Sequence, residues 1–393
     1  MTTIDYRELY IDGEWRSPAT SDTITVTSPT TEQVIGAVPA ASHDDVDRAV
    51  TAARKAFDDP EGWSSWLPEQ RGEVLERFAS ELEARAAETA RRVSLQNGMP
   101  LWLAEQYEGA FPAILVRYFS KMMIDSPVVD QRVGMLGGTA RVTRHPIGVV
   151  AAVVPWNVPQ GITFLKLAPA LAAGCTVVLK PAEETVLDAL LMCEAAAAAG
   201  LPPGVLNVVP GGREIGAYLV ERPGVDKVSF TGSTSAGSKI AETCGRLLRP
   251  VTLELGGKSA AILLDDVDLN ASLESLFAVT FLNNGQICWL NTRVLAPRSR
   301  YDEIVDALTD LARSLRIGDP LPRPRSARWC RPDNGNGSRA TSRKARARAH
   351  DSRPAAADPL VSRPDSSWSQ RFSRIWTTPQ PSRAKRSSAR RSV

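Results

Sequence analysis

Cys288 closes the run Asn283-Asn284-Gly285-Gln286-Ile287-Cys288, and 34 positions before it Glu254 lies in Leu253-Glu254-Leu255-Gly256-Gly257-Lys258-Ser259. A thiol and a carboxylate, each beside a glycine-containing bend, are the groups needed to form a thioester and then hydrolyse it. The polar flank of Cys288 separates it from Cys175, Cys193 and Cys244, whose apolar or helical contexts suit buried structural thiols. Glu254 interrupts an otherwise apolar strand over residues 251–255. A carboxylate there is costly unless paired or used, and burial would raise its pKa toward neutrality, as a general base requires. The structural alternative is a salt-bridged glutamate at a strand end.

A third group follows an apolar strand in Pro155-Trp156-Asn157-Val158-Pro159. Two prolines fix this turn and hold the Asn157 amide at the strand's carboxyl end, where a donor could stabilise an oxyanion or satisfy the turn's own backbone. Lys180-Pro181-Ala182-Glu183 ends the next strand. Its Lys and Glu could hydrogen-bond ribose hydroxyls or form a surface ion pair. Phe230-Thr231-Gly232-Ser233-Thr234-Ser235-Ala236-Gly237 joins a strand to a helix, the kind of junction that can hold a pyrophosphate. It is neither G-x-G-x-x-G nor a P-loop, because Lys239 does not directly follow Gly237. Three dispersed histidines (His43, His145 and His350) give no metal site and no Ser-His-Asp arrangement.

The elements that must position these groups are legible in the hydrophobic pattern. Residues 1–40 read as short strands, with Asp12-Gly13 turning a hairpin between Leu9-Tyr10-Ile11 and Trp15. A helix is expected over 44–57, and a longer one from Pro68 to Asn97-Gly98 with Leu75, Phe78 and Leu82 on one face. Residues 128–145 alternate as a polar hairpin or edge strands. Beyond 147, strands at 148–154, 176–179, 205–209, 227–230 and 251–255 alternate with helical stretches. That order predicts βαβ units in a doubly wound parallel sheet whose ligands sit beyond the carboxyl ends of the strands.

Five scattered cysteines in a 393-residue chain, without a C-x-x-C pair, point to reduced thiols. A polar N-terminus and short apolar runs give no signal peptide or membrane span, so the expected setting is cytoplasmic. The net charge of +3 conceals two halves: residues 321–393 hold 18 of the 47 Lys+Arg but only four of the 44 Asp+Glu, all Asp.

Taken together, Pro155 to Pro159, Lys180 to Glu183, Phe230 to Gly237, Glu254 to Ser259 and Asn283 to Cys288 resemble, in order and spacing, the NAD(P)-dependent aldehyde dehydrogenase superfamily, over roughly residues 5–320. The resemblance implies an α/β fold: a Rossmann-like parallel-sheet cofactor domain (1–127 and 146–255), oligomerisation edge strands (128–145) and an incomplete α/β catalytic domain (256–320). It implies that Cys288 attacks an aldehyde, that Asn157 and the Cys288 N–H hold the oxyanion, and that Glu254 activates water with Lys166 relaying the proton. Trp156, Lys180, Glu183, Gly232, Ser233, Gly237, Leu255 and Gly256 match cofactor positions. Glu183 favours NAD over NADP, since its carboxylate would repel a 2′-phosphate. Val158, Ile162, Leu165, Ile287 and Trp289 match the substrate tunnel, and their apolar character points to a neutral aliphatic or aromatic aldehyde. A homo-oligomer, no membrane and no metal complete the expectation.

After Asp319 the resemblance stops. The family's Glu-Glu-x-Phe-Gly-Pro segment does not occur, and residues 321–393 contain no Glu. One reading is a shift of reading frame near codon 320; the other is a basic tail that binds nucleic acid or another polyanion. The second function reading follows: an inactive fragment or nucleotide-binding remnant.

Overall fold

The structure, a computed structural model, describes residues 3–126 and 129–321. The readings of a shifted frame or a polyanion-binding tail fall, Leu321 apart, outside the described residues. The described residues divide into two compact units, 3–297 with 317–321, and 298–316.

The first unit begins with β1 (Ile4–Asp5), β2 (Leu9–Ile11), β3 (Glu14–Arg16), β4 (Thr23–Thr27) and β5 (Val34–Pro39). The expected hairpin joins β2 to β3, with Asp12 at φ 60° and Gly13 at φ 75°, as a tight primed turn requires. Helix α1 (His43–Asp58) starts in a capping box made by Ser42 and Asp45. The single long helix expected from Pro68 to Asn97 is two, α2 (Pro68–Ala84) and α3 (Ala86–Asn97), separated at Arg85 (φ −103°, ψ 2°). The break has a packing reason. Val74, Leu75, Phe78 and Leu82 of α2 enter the main core; beyond Arg85, Ala90 and Val93 of α3 enter a separate small core with Met99, Leu282 and Leu290, while Leu95 of the same helix stays on the main core. The bend at Arg85 lets α3 serve both. Next come α4 (Leu101–Ala104), a π-helical turn (Glu105–Ala110) and α5 (Phe111–Asp125). The expected polar hairpin is β6 (Val129–Val133) and β7 (Thr139–Thr143).

The strand and helix series then runs β8 (Val149–Val153), α6 (Pro159–Ala172), β9 (Thr176–Lys180), α7 (Leu187–Ala198), β10 (Leu206–Val208), α8 (Arg213–Glu221), β11 (Lys227–Gly232), α9 (Thr234–Arg246) and β12 (Val251–Leu255). The five strands form one parallel sheet in the order β10-β9-β8-β11-β12. Every residue of β8 and of β9 is buried, as expected of central strands covered on both faces. Val150 and Ala152 enter the core with α6 and α7; Val149, Ala151 and Val153 enter the core with α1 and α8. The chain leaves β8 toward β9 on one side and later returns to β11 on the other, so a crevice opens at the carboxyl ends of β8 and β11. Beyond the sheet lie β13 (Ala260–Ile262), α10 (Leu269–Thr280) and β14 (Arg293–Leu295), with β13 and β14 parallel. The second unit contains α11 (Tyr301–Ser314). No helix among the described residues is long and apolar enough to cross a membrane.

The start of β8 is anchored by a half-buried charge. Asp226 Oδ2 accepts from the Val149 N–H at 2.7 Å and from Arg54 at 2.6 Å. Gly148 (φ +129°) lies against it: an added Cβ would sit 1.8 Å from Asp226 Oδ2. Gly148→Ala is therefore expected to lower unfolding free energy by roughly 2–4 kcal/mol in urea denaturation. Gly245→Ala, at a helical position where an added Cβ meets nothing within 4 Å, is expected to change it by less than about 1 kcal/mol.

Candidate active site

Among the described cysteines Cys175, Cys193 and Cys244 are buried and Cys288 is half-buried, so Cys288 is the thiol a ligand can reach. It follows an unusual stretch of backbone: Asn283 (φ 49°), Asn284 (φ 56°) and Gly285 (φ 74°) are all left-handed. Asparagine tolerates that region better than most residues, but each costs on the order of 1 kcal/mol, so surrounding contacts must hold it. Two side-chain amides do this. Asn283 donates to the Asn157 carbonyl at 2.9 Å, and Asn284 to the Gly98 carbonyl at 3.1 Å.

The Asn157 loop is held from the other side. Asn97, at the end of α3, donates to the Trp156 and Asn157 carbonyls at 3.1 and 3.2 Å. The Asn157 amide in turn donates to the Gln286 carbonyl at 2.6 Å, two residues before Cys288. The predicted oxyanion donor and the predicted nucleophile, 131 positions apart in sequence, are thus tied together. Val158 and Ile287 pack on the same small core, Ile162 packs on the main core, and Leu165 (52% exposed) and Trp289 (48%) stand open to solvent.

Glu254 departs from expectation: it is exposed, not buried. The reason is the sheet order. β12 is an edge strand, and its alternation is half-buried for Val251, Leu253 and Leu255 but exposed for Thr252 and Glu254. Glu254 pairs in register with Thr231 on β11. Lys166 is a buried amine: it donates to Ser229 Oγ at 3.3 Å, and burial pushes its pKa down to about 8 against the opposing pull of Glu254. The Gly256 N–H bonds the Gly232 carbonyl at 3.2 Å, and a Cβ on Gly257 would lie 3.9 Å from the Cys288 carbonyl oxygen. The carboxylate's strand therefore ends beside the thiol's loop.

The cofactor positions fall around the same crevice. Lys180 is buried at the end of β9 and donates to the Pro181 carbonyl at 2.9 Å; burial lowers its pKa against the pull of Glu183 and Glu184. Glycines at the start of α8 permit close approach: an added Cβ would sit 3.2 Å from Glu183 Oε2 at Gly212, and 3.2 Å from Lys180 Cδ at Gly216. Ser233 caps α9, accepting from the Ala236 N–H at 3.2 Å. Gly237 lets that helix end press on Leu255, whose Cδ2 would be 2.4 Å from an added Cβ. A helix N-terminus, a Lys and Glu at a strand end, and a half-exposed Trp156 beside them fit a dinucleotide.

The residue pattern gave no sign of Glu108 or Asp188. Both are fully buried carboxylates, one in the π-helical turn and one in α7. Glu108 Oε2 accepts from the Gln160 and Gly161 N–H groups at 2.7 and 3.2 Å. Asp188 accepts from the Gln160 amide at 2.6 Å and the Gln96 amide at 2.8 Å. No periodicity marks them, and Glu108 follows the polar residues Glu105 and Gln106; only Asp188, set between Leu187 and Ala189, is an acid in apolar sequence.

A parallel sheet with a crevice at its switch point and a reachable cysteine beside it suits a class of protein: dinucleotide-linked enzymes that work through a thiol. The chain belongs to the aldehyde dehydrogenase family, whose family model matches residues 15–327. It is 50% identical over 321 residues to a geranial dehydrogenase of Castellaniella defragrans, covering 82% of this chain and 67% of that protein. A chloroplastic aminoaldehyde dehydrogenase of Arabidopsis thaliana is 38% identical over 326 residues, covering 80% and 64%. Among solved structures, a Mycobacterium tuberculosis aldehyde dehydrogenase complexed with NAD+ superposes with a TM-score of 0.78 at 43% identity, covering 81% of this chain and 66% of that one. A mutant aldehyde dehydrogenase C of Pseudomonas syringae, complexed with NAD+ and octanal, gives 0.76 at 39%, covering 80% and 64%. The chain spans about two thirds of the length of these relatives.

The buried acids make a pH prediction. Burial, with the neighbouring Asp188 charge, pushes Glu108 from its ordinary 4.5 up to about 8, and burial pushes Asp188 from 3.8 to about 6. A folded pKa above the unfolded one means that the stability contributed is complete below the unfolded value and is lost as pH rises through the folded value. Stability should therefore fall between about pH 4 and 8, and Glu108→Gln should flatten that fall in urea midpoints measured at pH 5 and pH 8. Parallel curves for parent and variant would contradict it.

Proposed function

We propose that this protein oxidises an aldehyde to a carboxylic acid with NAD. The observation that carries the reading is the Asn157 to Gln286 hydrogen bond, which brings an amide donor to the loop of the half-buried thiol. Cys288, its thiol proton given up to solvent, adds through sulfur to the aldehyde carbon, and the oxygen that gains charge is held by the Asn157 amide and the Cys288 N–H. Lys180, Glu183 and Ser233 would hold NAD, which would supply the acceptor for the hydride that leaves that carbon. Glu254, open to water at the sheet edge, removes a proton from the water that cleaves the thioester. Lys166, behind it, relays that proton.

Glu183, exposed beside Gly212, supports NAD over NADP by like-charge repulsion of a 2′-phosphate. Apolar Val158, Ile162, Leu165, Ile287 and Trp289 support a neutral aldehyde, in keeping with relatives named for geranial or complexed with octanal. The division into a cofactor domain (1–127 and 146–255), an arm (128–145) and part of a catalytic domain (256–320) belongs to the same reading. So does oligomerisation through the arm, where Val133, Met135 and Leu136 are 92%, 100% and 102% exposed. A cytoplasmic setting and a shifted frame near codon 320 complete it; translating the other downstream frames tests the latter.

NADH formation from a panel of aliphatic, aromatic and cationic aldehydes tests the function. Cys288→Ala is expected to abolish it, and Asn157→Ala to lower kcat by roughly 10²–10³-fold. Undiminished turnover in Cys288→Ala would overturn the reading, and a preference for the cationic aldehydes would overturn the substrate class.

A further inference from the structure

Helix α6 follows the Asn157 turn and carries Lys166, yet it begins without a side-chain cap of its own. Val158 stands at the N-cap and has no side-chain acceptor, and Pro159 follows it in the first turn. The first N–H groups of this helix, those of Gln160 and Gly161, are buried and would be unsatisfied there. Glu108 meets both from the π-helical turn, at 2.7 and 3.2 Å. Gly161 makes the approach possible: an added Cβ would lie 3.1 Å from the Tyr107 carbonyl oxygen and 3.8 Å from Glu108 Oε1. Asp188 holds the Gln160 side chain at 2.6 Å, so the first turn of α6 is fixed by two carboxylates from two other elements. Asn157 lies immediately before this turn. A π turn that interrupts a helical run to aim one buried acid is a local departure of the kind found at functional sites.

We propose that Glu108 is a positioning residue for the oxyanion-binding amide: by capping α6 from outside, it fixes the Asn157 side chain against the Cys288 loop. The proposal rests on the role given to Asn157 above. Glu108 touches neither substrate nor cofactor. Its effect passes through the α6 backbone into the Asn157 turn, and it should therefore vanish when Asn157 is gone.

The test uses the full chain with Glu108→Ala, Glu108→Asp and Glu108→Gln, each alone and combined with Asn157→Ala. Glu108→Gln keeps one oxygen for the two N–H groups and should stay within about threefold of the parent in kcat. Glu108→Ala should lower kcat by roughly 30-fold, in line with a misplacement of about 1 Å, with the KM for NAD unchanged. In the Asn157→Ala background the same substitution should add nothing. The side-chain amide resonance of Asn157, assigned in asparagine-labelled protein by its loss in Asn157→Ala, should move in Glu108→Ala and hold in Glu108→Gln. If the alanine variant does not fold, Glu108→Asp, one methylene shorter, should move the same resonance and lower kcat. An equal loss of kcat with and without Asn157, or an unmoved resonance in folded Glu108→Ala or Glu108→Asp, overturns the proposal. If the parent makes no NADH, the proposed activity fails on that ground, and the resonance still decides the role of Glu108.

Discussion

The hydrogen bond from the Asn157 amide to the Gln286 carbonyl closes a loop of 129 residues and joins two segments that no regular secondary structure connects. The proposed chemistry depends on that closure. On one side, the turn after β8 has its carbonyls fixed by Asn97 and Asn283. On the other, three left-handed residues lead into Cys288 and are held by the amides of Asn283 and Asn284. Each bond is worth about 1 kcal/mol, similar to the strain at each asparagine, so the loop holds as a set of mutually supporting contacts. The same bonds aim the groups: an amide occupied by a loop carbonyl has a defined direction before any ligand arrives.

The parallel sheet supplies the frame. On β11, Val228 and Phe230 face the core with α1 and α8, while Ser229 meets Lys166 of α6 on the opposite face. Glu254 continues that polar column onto β12, opposite Thr231, and Lys227 joins it through Thr252 at 2.9 Å. An amine whose pKa is pushed to about 8 by burial, with a carboxylate near enough to pull against that shift, makes a short acid–base gradient from core to sheet edge. The exposed end is where water is available, and the buried end is where a proton can be held.

Much of this was readable in the residues, and the failures share a cause. Strands β8, β9 and β11 announced themselves because strands covered on both faces need continuous apolar runs, and the Asp12-Gly13 turn because few pairs adopt its dihedral angles. Cys288 and Asn157 stood out by their polar or proline-bounded settings. Val-Thr-Leu-Glu-Leu reads as an apolar strand interrupted by Glu254, whereas its alternation is the mark of an edge. The stretch from Pro68 to Asn97 reads as one helix because its stripe is continuous, although its second half also reaches a separate small core. Asn97, Gln286 and Glu108 act through contacts with residues distant in sequence. Nothing local distinguishes such a glutamate or amide from an ordinary surface residue.

The central claim is that this arrangement makes Cys288 an acyl carrier, and a covalent measurement addresses it most directly. Glu254→Gln protein would be incubated with NAD and an aliphatic aldehyde, then digested and analysed by mass spectrometry. The account predicts the acyl group of that aldehyde on the peptide containing Cys288 and nowhere else, in an amount matched by the NADH formed. Folded Glu254→Gln protein with no acyl group on Cys288, or with the adduct on another cysteine, would contradict it.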